Sequence, residues 1–152
     1  MEKEKTSENL FSEAESLVES LGFKLVDFNL TRRRRSSHIS VVIYSSGGTG
    51  IDECSAVHRL LHSRLQVLLG EAEPSLEVSS PGMEREFKSP REYEIFLGWG
   101  MRAYSRSKSD WVKGILSSFD EETVVIVSEN GPENLSLADI AKARLDYSQE
   151  VR

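Results

Sequence analysis

Residues Leu76–Arg85 read LEVSSPGMER, and this stretch separates two halves of the chain that are built differently. Leu76 to Ser79 has the length and alternation of a short strand, and Ser80-Pro81-Gly82 turns it. Proline fixes φ near about −65°, and Gly82 is expected to supply the positive φ that the following turn position needs. Apolar alternation stops at this point. The stretch reads either as an ordered junction between two modules or, more plainly, as a strand ending in a type II turn.

On the N-terminal side, Leu10, Phe11, Ala14, Leu17, Val18 and Leu21 fall on one helical face, with Glu13, Glu15 and Glu19 off it. Ser7 is the expected N-cap, and Gly22 stands where a helix C-terminus favours glycine. Val26, Phe28 and Leu30 then alternate with polar residues, as do Ile39, Val41 and Ile43, which predicts an antiparallel hairpin with a basic run at its tip. After the loop SSGGTG, Asp52 is expected to cap a second helix whose inner face carries Cys54, Val57, Leu61, Leu65 and Leu68 and which ends at Gly70.

On the C-terminal side, a short helix is expected from Pro90 through Leu97, and then short strands at close spacing: Met101–Arg106, Trp111–Ser117, Thr123–Val127, Asn134–Leu137 and Ala143–Tyr147, with a tight helical turn over Asp139–Lys142. Many short strands with turns between them predict a small barrel, and Gly114 sits where a strand can bend sharply. Phe96, Trp99 and Trp111 are expected to be core or interdomain packing. The fold class is therefore α+β. An N-terminal αββαβ domain over residues 1–88 carries two helices on a three-stranded sheet, and a small β-barrel follows over residues 89–152.

The composition, 38% hydrophobic and 29% charged over 152 residues, suits two small domains with thin cores. No apolar run approaches the roughly 20 residues of a membrane helix, and the polar start MEKEKTSEN is unlike a secretory signal. Cys54 is the single cysteine, which points to the cytoplasm and excludes a disulfide within the chain. Net charge is −6, shared evenly: 11 basic and 14 acidic side chains in residues 1–88, and 8 and 11 in residues 89–152. Such a chain does not condense on phosphates nonspecifically, so contact with nucleic acid needs a local basic patch, and an acidic surface suits a basic protein partner.

One such patch is present. Arg32, Arg33, Arg34 and Arg35 stand together at the hairpin tip, and guanidinium groups bind phosphate in bidentate fashion. The alternative is a solvated turn. No aromatic flanks the run, so contact there would be tolerant of RNA sequence. Arg106 and Lys108 form a weaker second patch. Signals for catalysis are absent. There is no P-loop, GxGxxG or GxSxG. His58 and His62 share a helix face, but Arg59 beside them opposes a cation and no further ligand pair completes a zinc set. Cys54 reads as a core residue, and Ser79 and Ser80 read as turn residues bonding to nearby backbone. No catalytic, metal or cofactor-binding residue is expected.

At the junction the chain resembles the bacterial ribosome maturation factor RimP family. LGFKLVDFNL, GTGIDECSAVHRLL, LEVSSPGMEREFKSPREYEIFLG, VKGIL and ADIAKARL occur in the family's order. The family usually reads SPGLDRPL at the junction; here Met83 and Glu84 keep the residue type, Arg85 is retained, and Glu86 replaces a proline, which loosens the linker. The resemblance implies an SH3-like or Sm-like C-terminal barrel and a non-enzymatic, cytoplasmic factor that assists assembly of the small (30S) ribosomal subunit by binding the free immature subunit. Its implied partners are rRNA and a ribosomal protein near the decoding region, with no membrane, and a monomer is expected. Ser80, Pro81, Gly82 and Arg85 are the expected binding surface, with Arg32–Arg35 as phosphate contacts on charge grounds alone. The alternative function is a general RNA-binding module acting outside ribosome assembly.

Overall fold

The computed structural model describes residues 2–34, 36–45, 49–82 and 84–150, with side chains from residue 9 onward. The chain divides into two compact units, Met1–Pro81 and Gly82–Arg152. The division falls before Lys88 because backbone pairing ties the intervening segment to the second unit. Leu145 N–H donates to the Arg85 carbonyl and Phe87 N–H to the Ala143 carbonyl, both at 2.9 Å, and Glu86 pairs with Arg144.

The first unit has the order α1 (Glu2–Ser20), β1 (Lys24–Arg32), β2 (Ser37–Tyr44), α2 (Ile51–Leu69) and β3 (Ser75–Ser79). The three strands form one sheet in the order β1-β2-β3, antiparallel between β1 and β2 and parallel between β2 and β3. Residues four apart face inward on both helices: Leu10, Ala14 and Val18 on α1, and Val57, Leu61 and Leu65 on α2. They share one core with Leu25, Ile39, Val41 and Ile43. The other face of the sheet aligns Asn29, Ser40 and Glu77 in one row and Thr31, His38 and Ser75 in the next. The helices therefore cover a single face.

Three local expectations are corrected. Helix α1 begins at Glu2, so Ser7 lies inside it and is not its cap. Lys and Glu are good helix formers, and acidic residues near the N-terminus complement the macrodipole. Helix α2 is capped from Gly50, whose N–H donates to Glu53 Oε2 at 3.0 Å, so Asp52 lies within the first turn. In β1, Leu25 partners Ile43 and Asp27 partners Val42, which leaves Val26 as the extra residue of a bulge. Leu25 and Val26 are both buried as a result, where strict alternation gave Val26 alone. The glycines end the helices as read. Gly22 and Gly70 take φ of 87° and 66°, and Phe23 N–H and Glu71 N–H reach back to the carbonyls of Val18 and Gln66 at 3.2 Å.

The second unit carries α3 (Arg91–Ile95), β4 (Gly100–Ser105), β5 (Asp110–Phe119), β6 (Thr123–Ser128), β7 (Gly131–Ser136) and β8 (Ile140–Leu145). The strands form one antiparallel sheet in the order β7-β6-β5-β4-β8. Four of them meander, and β8 returns to lie beside β4. Met101, Ala103, Val112, Leu116, Val124 and Ile126 fill its inner face. Gly114 is required there by close approach: a Cβ on it would stand 2.2 Å from the Val127 carbonyl oxygen. Phe96 is fully buried and stacks on Phe87 at 5.5 Å, with Trp99 edge-on to it at 5.2 Å. Trp111 instead lies on the outward face, edge-on to Tyr104 at 5.4 Å. The tight turn falls at Leu137–Asp139 rather than Asp139–Lys142. The Asp139 carboxylate anchors it, accepting from Ser105 Oγ at 2.6 Å and Ser107 N–H at 2.9 Å.

Candidate functional site

Strand pairing builds the arginine tip. Arg32 is the last residue of β1 and lies opposite Ser37, and Arg33 N–H donates to the Ser36 carbonyl at 3.0 Å, closing the turn. Arg32, Arg33 and Arg34 are exposed, and Arg35 lies outside the described residues. Among the described residues none of the three has an acidic partner within an ion-pair distance. By contrast, Arg64 of α2 meets Glu13 of α1 at 3.6 Å. Among the described residues, Arg32, Arg33 and Arg34 are thus positive charge without an ion pair on an acidic protein, open to phosphate.

The junction residues divide between surface and interior. Ser80 and Gly82 are exposed and Pro81 is half-buried. Gly82 does not adopt a positive φ, and a Cβ on it would meet nothing within 4 Å. The turn is set one step later, where Arg85 N–H donates to the Gly82 carbonyl at 3.2 Å, so Gly82 opens the turn instead of occupying its left-handed position. Arg85 points into the second unit. Its Nε donates to Glu92 Oε1 at 2.6 Å, with the Glu92 side chain 1% exposed. Glu92 Oε2 accepts from the Lys88 N–H at 2.7 Å and the Ser89 N–H at 3.1 Å. Arg85 therefore holds the segment entering α3 and presents no guanidinium to a partner. The sequence carried a sign of this, since Ser89-Pro90-Arg91-Glu92 has the S-x-x-E spacing of a capping box.

The groups weighed for chemistry do not assemble a reactive centre. Cys54, Ser55, His58, Val78, Ser79 and Ser80 line an open cavity of about 510 Å³ in the first unit. Burial pushes the Cys54 thiol up, and the neighbouring Glu53 carboxylate adds to the shift, so it is a poor nucleophile near neutral pH. His58 Nε2 lies 3.1 Å from the Leu76 carbonyl. A carbonyl only accepts, so this nitrogen carries the proton and cannot serve as a base toward Ser79 or Ser80. His58 and His62 stack at 5.6 Å. Among the described residues no three His, Cys, Asp or Glu side chains cluster as a metal would need. In the second unit, burial raises Tyr93 to about 12, with the Glu92 carboxylate contributing. Burial pushes Asp146 up, but hydrogen bonds from Ser148 and Gln149 together with the Arg102 guanidinium outweigh it and hold the carboxyl below its usual range.

Comparison with known proteins reaches both halves of the chain. The sequence model of a family described as the RimP N-terminal domain matches residues 13–84. A ribosome maturation factor RimP of Borrelia hermsii (strain HS1 / DAH) is 25% identical over 130 residues, covering 86% of this chain and 89% of that protein. The protein of the same name from Borrelia turicatae (strain 91E135) gives the same identity and coverage. The matched domain contains α2, β3 and the SPG turn, and the 130-residue likeness to the relatives is longer than the first unit and so runs into the second. Over most of its length the chain is similar to ribosome maturation factors of the RimP family.

Proposed function

We propose that this protein assists assembly of the small (30S) ribosomal subunit by binding the free, immature subunit. The relatives named ribosome maturation factors support a role in ribosome maturation. The observation that carries the finer reading is the exposed tip Arg32–Arg34, which forms no ion pair among the described residues on a chain of net charge −6. That arrangement suits local contact with rRNA phosphates and disfavours indiscriminate coating of RNA. Ser80, Pro81 and Gly82 add a contact surface, and Arg85 supports it from within. The protein acts by differential affinity: it favours one immature conformation of the subunit and leaves when that conformation is gone. It works as a cytoplasmic monomer, with rRNA and a ribosomal protein near the decoding region as partners, and it has no catalytic step. Two bodies divide this work, read from the sequence as residues 1–88 and 89–152 and separated in the structure between Pro81 and Gly82. The five strands of the second curl into a small SH3-like barrel, a reading supported by the bulges in β5 and between β4 and β8.

Removing the gene from its host tests the proposal. Free small subunits carrying immature rRNA should accumulate and fall when the gene is restored. Unchanged subunit profiles and rRNA ends would refute it. A general RNA-binding module would leave small-subunit maturation intact.

A further inference from the structure

The outward face of the sheet in the second unit groups basic and aromatic side chains that lie far apart in the sequence. Strand pairing sets Arg144, Arg102 and Lys113 in one row across β8, β4 and β5, and Lys142, Tyr104 and Trp111 in the next. Their neighbours along each strand, such as Met101, Ala103, Val112, Ala143 and Leu145, fill the core, so these six face outward. Lys113 and Lys142 are exposed, and the other four are part-exposed.

The aromatic pair is held in place. Trp111 and Tyr104 meet edge-on at 5.4 Å, and the Arg102 guanidinium lies 5.5 Å from the Trp111 ring centre. The face is positive overall. Among the described residues two acidic groups reach it: Glu86, 3.7 Å from both Lys142 and Arg144, and Asp146, 3.7 Å from Arg102. Four cations against two anions leave an excess, on a chain whose net charge is −6. Lys113 has no acidic partner among the described residues.

Rings and a guanidinium plane beside spare cations are the parts that bind unpaired bases and their phosphates together. Phosphate alone would not require the rings, and an apolar partner would not be matched by the cations. We infer that this face binds a single-stranded segment of RNA, stacking a base on the Trp111–Tyr104–Arg102 cluster and engaging the flanking phosphates through Lys113 and Lys142. The inference rests on the proposed function only for the source of the strand, an unpaired rRNA segment left open in an unfinished subunit. The arginine tip supplies charge without rings, whereas this face supplies both.

The test uses the full chain and a fluorescently labelled ten-nucleotide single-stranded RNA at low salt, up to about 100 μM, the weak end of nonspecific nucleic-acid affinities. Binding should quench tryptophan fluorescence. W111F should abolish most of that quench, because the remaining Trp99 packs on Phe96. W111A should weaken binding roughly tenfold to a hundredfold, as expected for loss of one stacked base. K113E with K142E should weaken binding and flatten its salt dependence; being surface changes, they keep the idea testable if W111A misfolds. No quench over this range, or unchanged binding by W111A and the lysine variants, would overturn the inference. Loss of subunit binding by W111A with oligonucleotide binding intact would also overturn it, by assigning the face to a protein. These outcomes are separate from the effect of gene removal, so either reading can fail alone.

Discussion

Glu92→Ala should destabilise the second unit selectively, because the Glu92 carboxylate accepts from Arg85 Nε and from the Lys88 and Ser89 amides in the segment leading into α3. Its side chain is 1% exposed and Arg85's is 10% exposed, with Nε and Oε1 2.6 Å apart. Removing one partner of a buried pair costs about 3–5 kcal/mol, because the other charge loses a close, desolvated counter-charge. The amides of Lys88 and Ser89 also lose their acceptor, but they adjoin exposed positions and can rehydrate, so the same range serves. A domain of this size loses about 4–8 °C of Tm per kcal/mol, which gives a fall of about 10–40 °C. Trp99 and Trp111 both lie in the second unit and are the only tryptophans of the chain. Tryptophan fluorescence in urea or on heating therefore reports that unit, while far-UV circular dichroism follows α1 and α2. The double variant R85M/E92M should recover much of the loss, since apolar replacement of both charges relieves their desolvation. A Glu92→Ala midpoint within about 1 kcal/mol of wild type would refute the strut assigned to this pair.

Gly114→Ala should lower the same fluorescence midpoint by about 1–3 kcal/mol or more, since the added methyl must displace the Val127 backbone. Gly82→Val should stay within about 1 kcal/mol of wild type in the same denaturation curves, because its φ is not positive and the space beside it is open. On acidification the second unit should lose stability. Serine hydrogen bonds depress Asp139, and Asp146 is also held low. A carboxyl depressed in the folded state contributes stability above its ordinary unfolded value, about 3.9, and that contribution is lost as pH falls through the lower folded value. Asp146→Asn should therefore flatten the dependence of the urea midpoint on pH below about pH 4. Charge reversal of Arg32–Arg35 to glutamate should weaken subunit binding strongly at low salt and leave the unfolding midpoint unchanged; equal affinity would remove the tip from the interface.

Much of the first unit was legible because helix faces repeat every four residues and Gly22 and Gly70 stand where a left-handed residue is needed. Val26 was not legible as a bulge, since bulges arise from pairing with another strand and leave no periodicity of their own. In β5, Trp111, Lys113 and Ile115 alternate with Val112, Gly114 and Leu116, so both faces carry apolar residues and alternation could not say which was inward. That is why Trp111 was expected in the core. Arg85 was legible as distinctive but not as buried, because its acid stands beyond the turn and only the fold brings the two together. The tip could be read from charge alone, since four adjacent arginines need no tertiary partner to be positive.

Sedimentation of the purified protein with free small subunits, free large subunits and whole ribosomes addresses the central claim most directly. The protein should travel with free small subunits, and far less with large subunits or whole ribosomes. Equal association with all three, or with none, would contradict it.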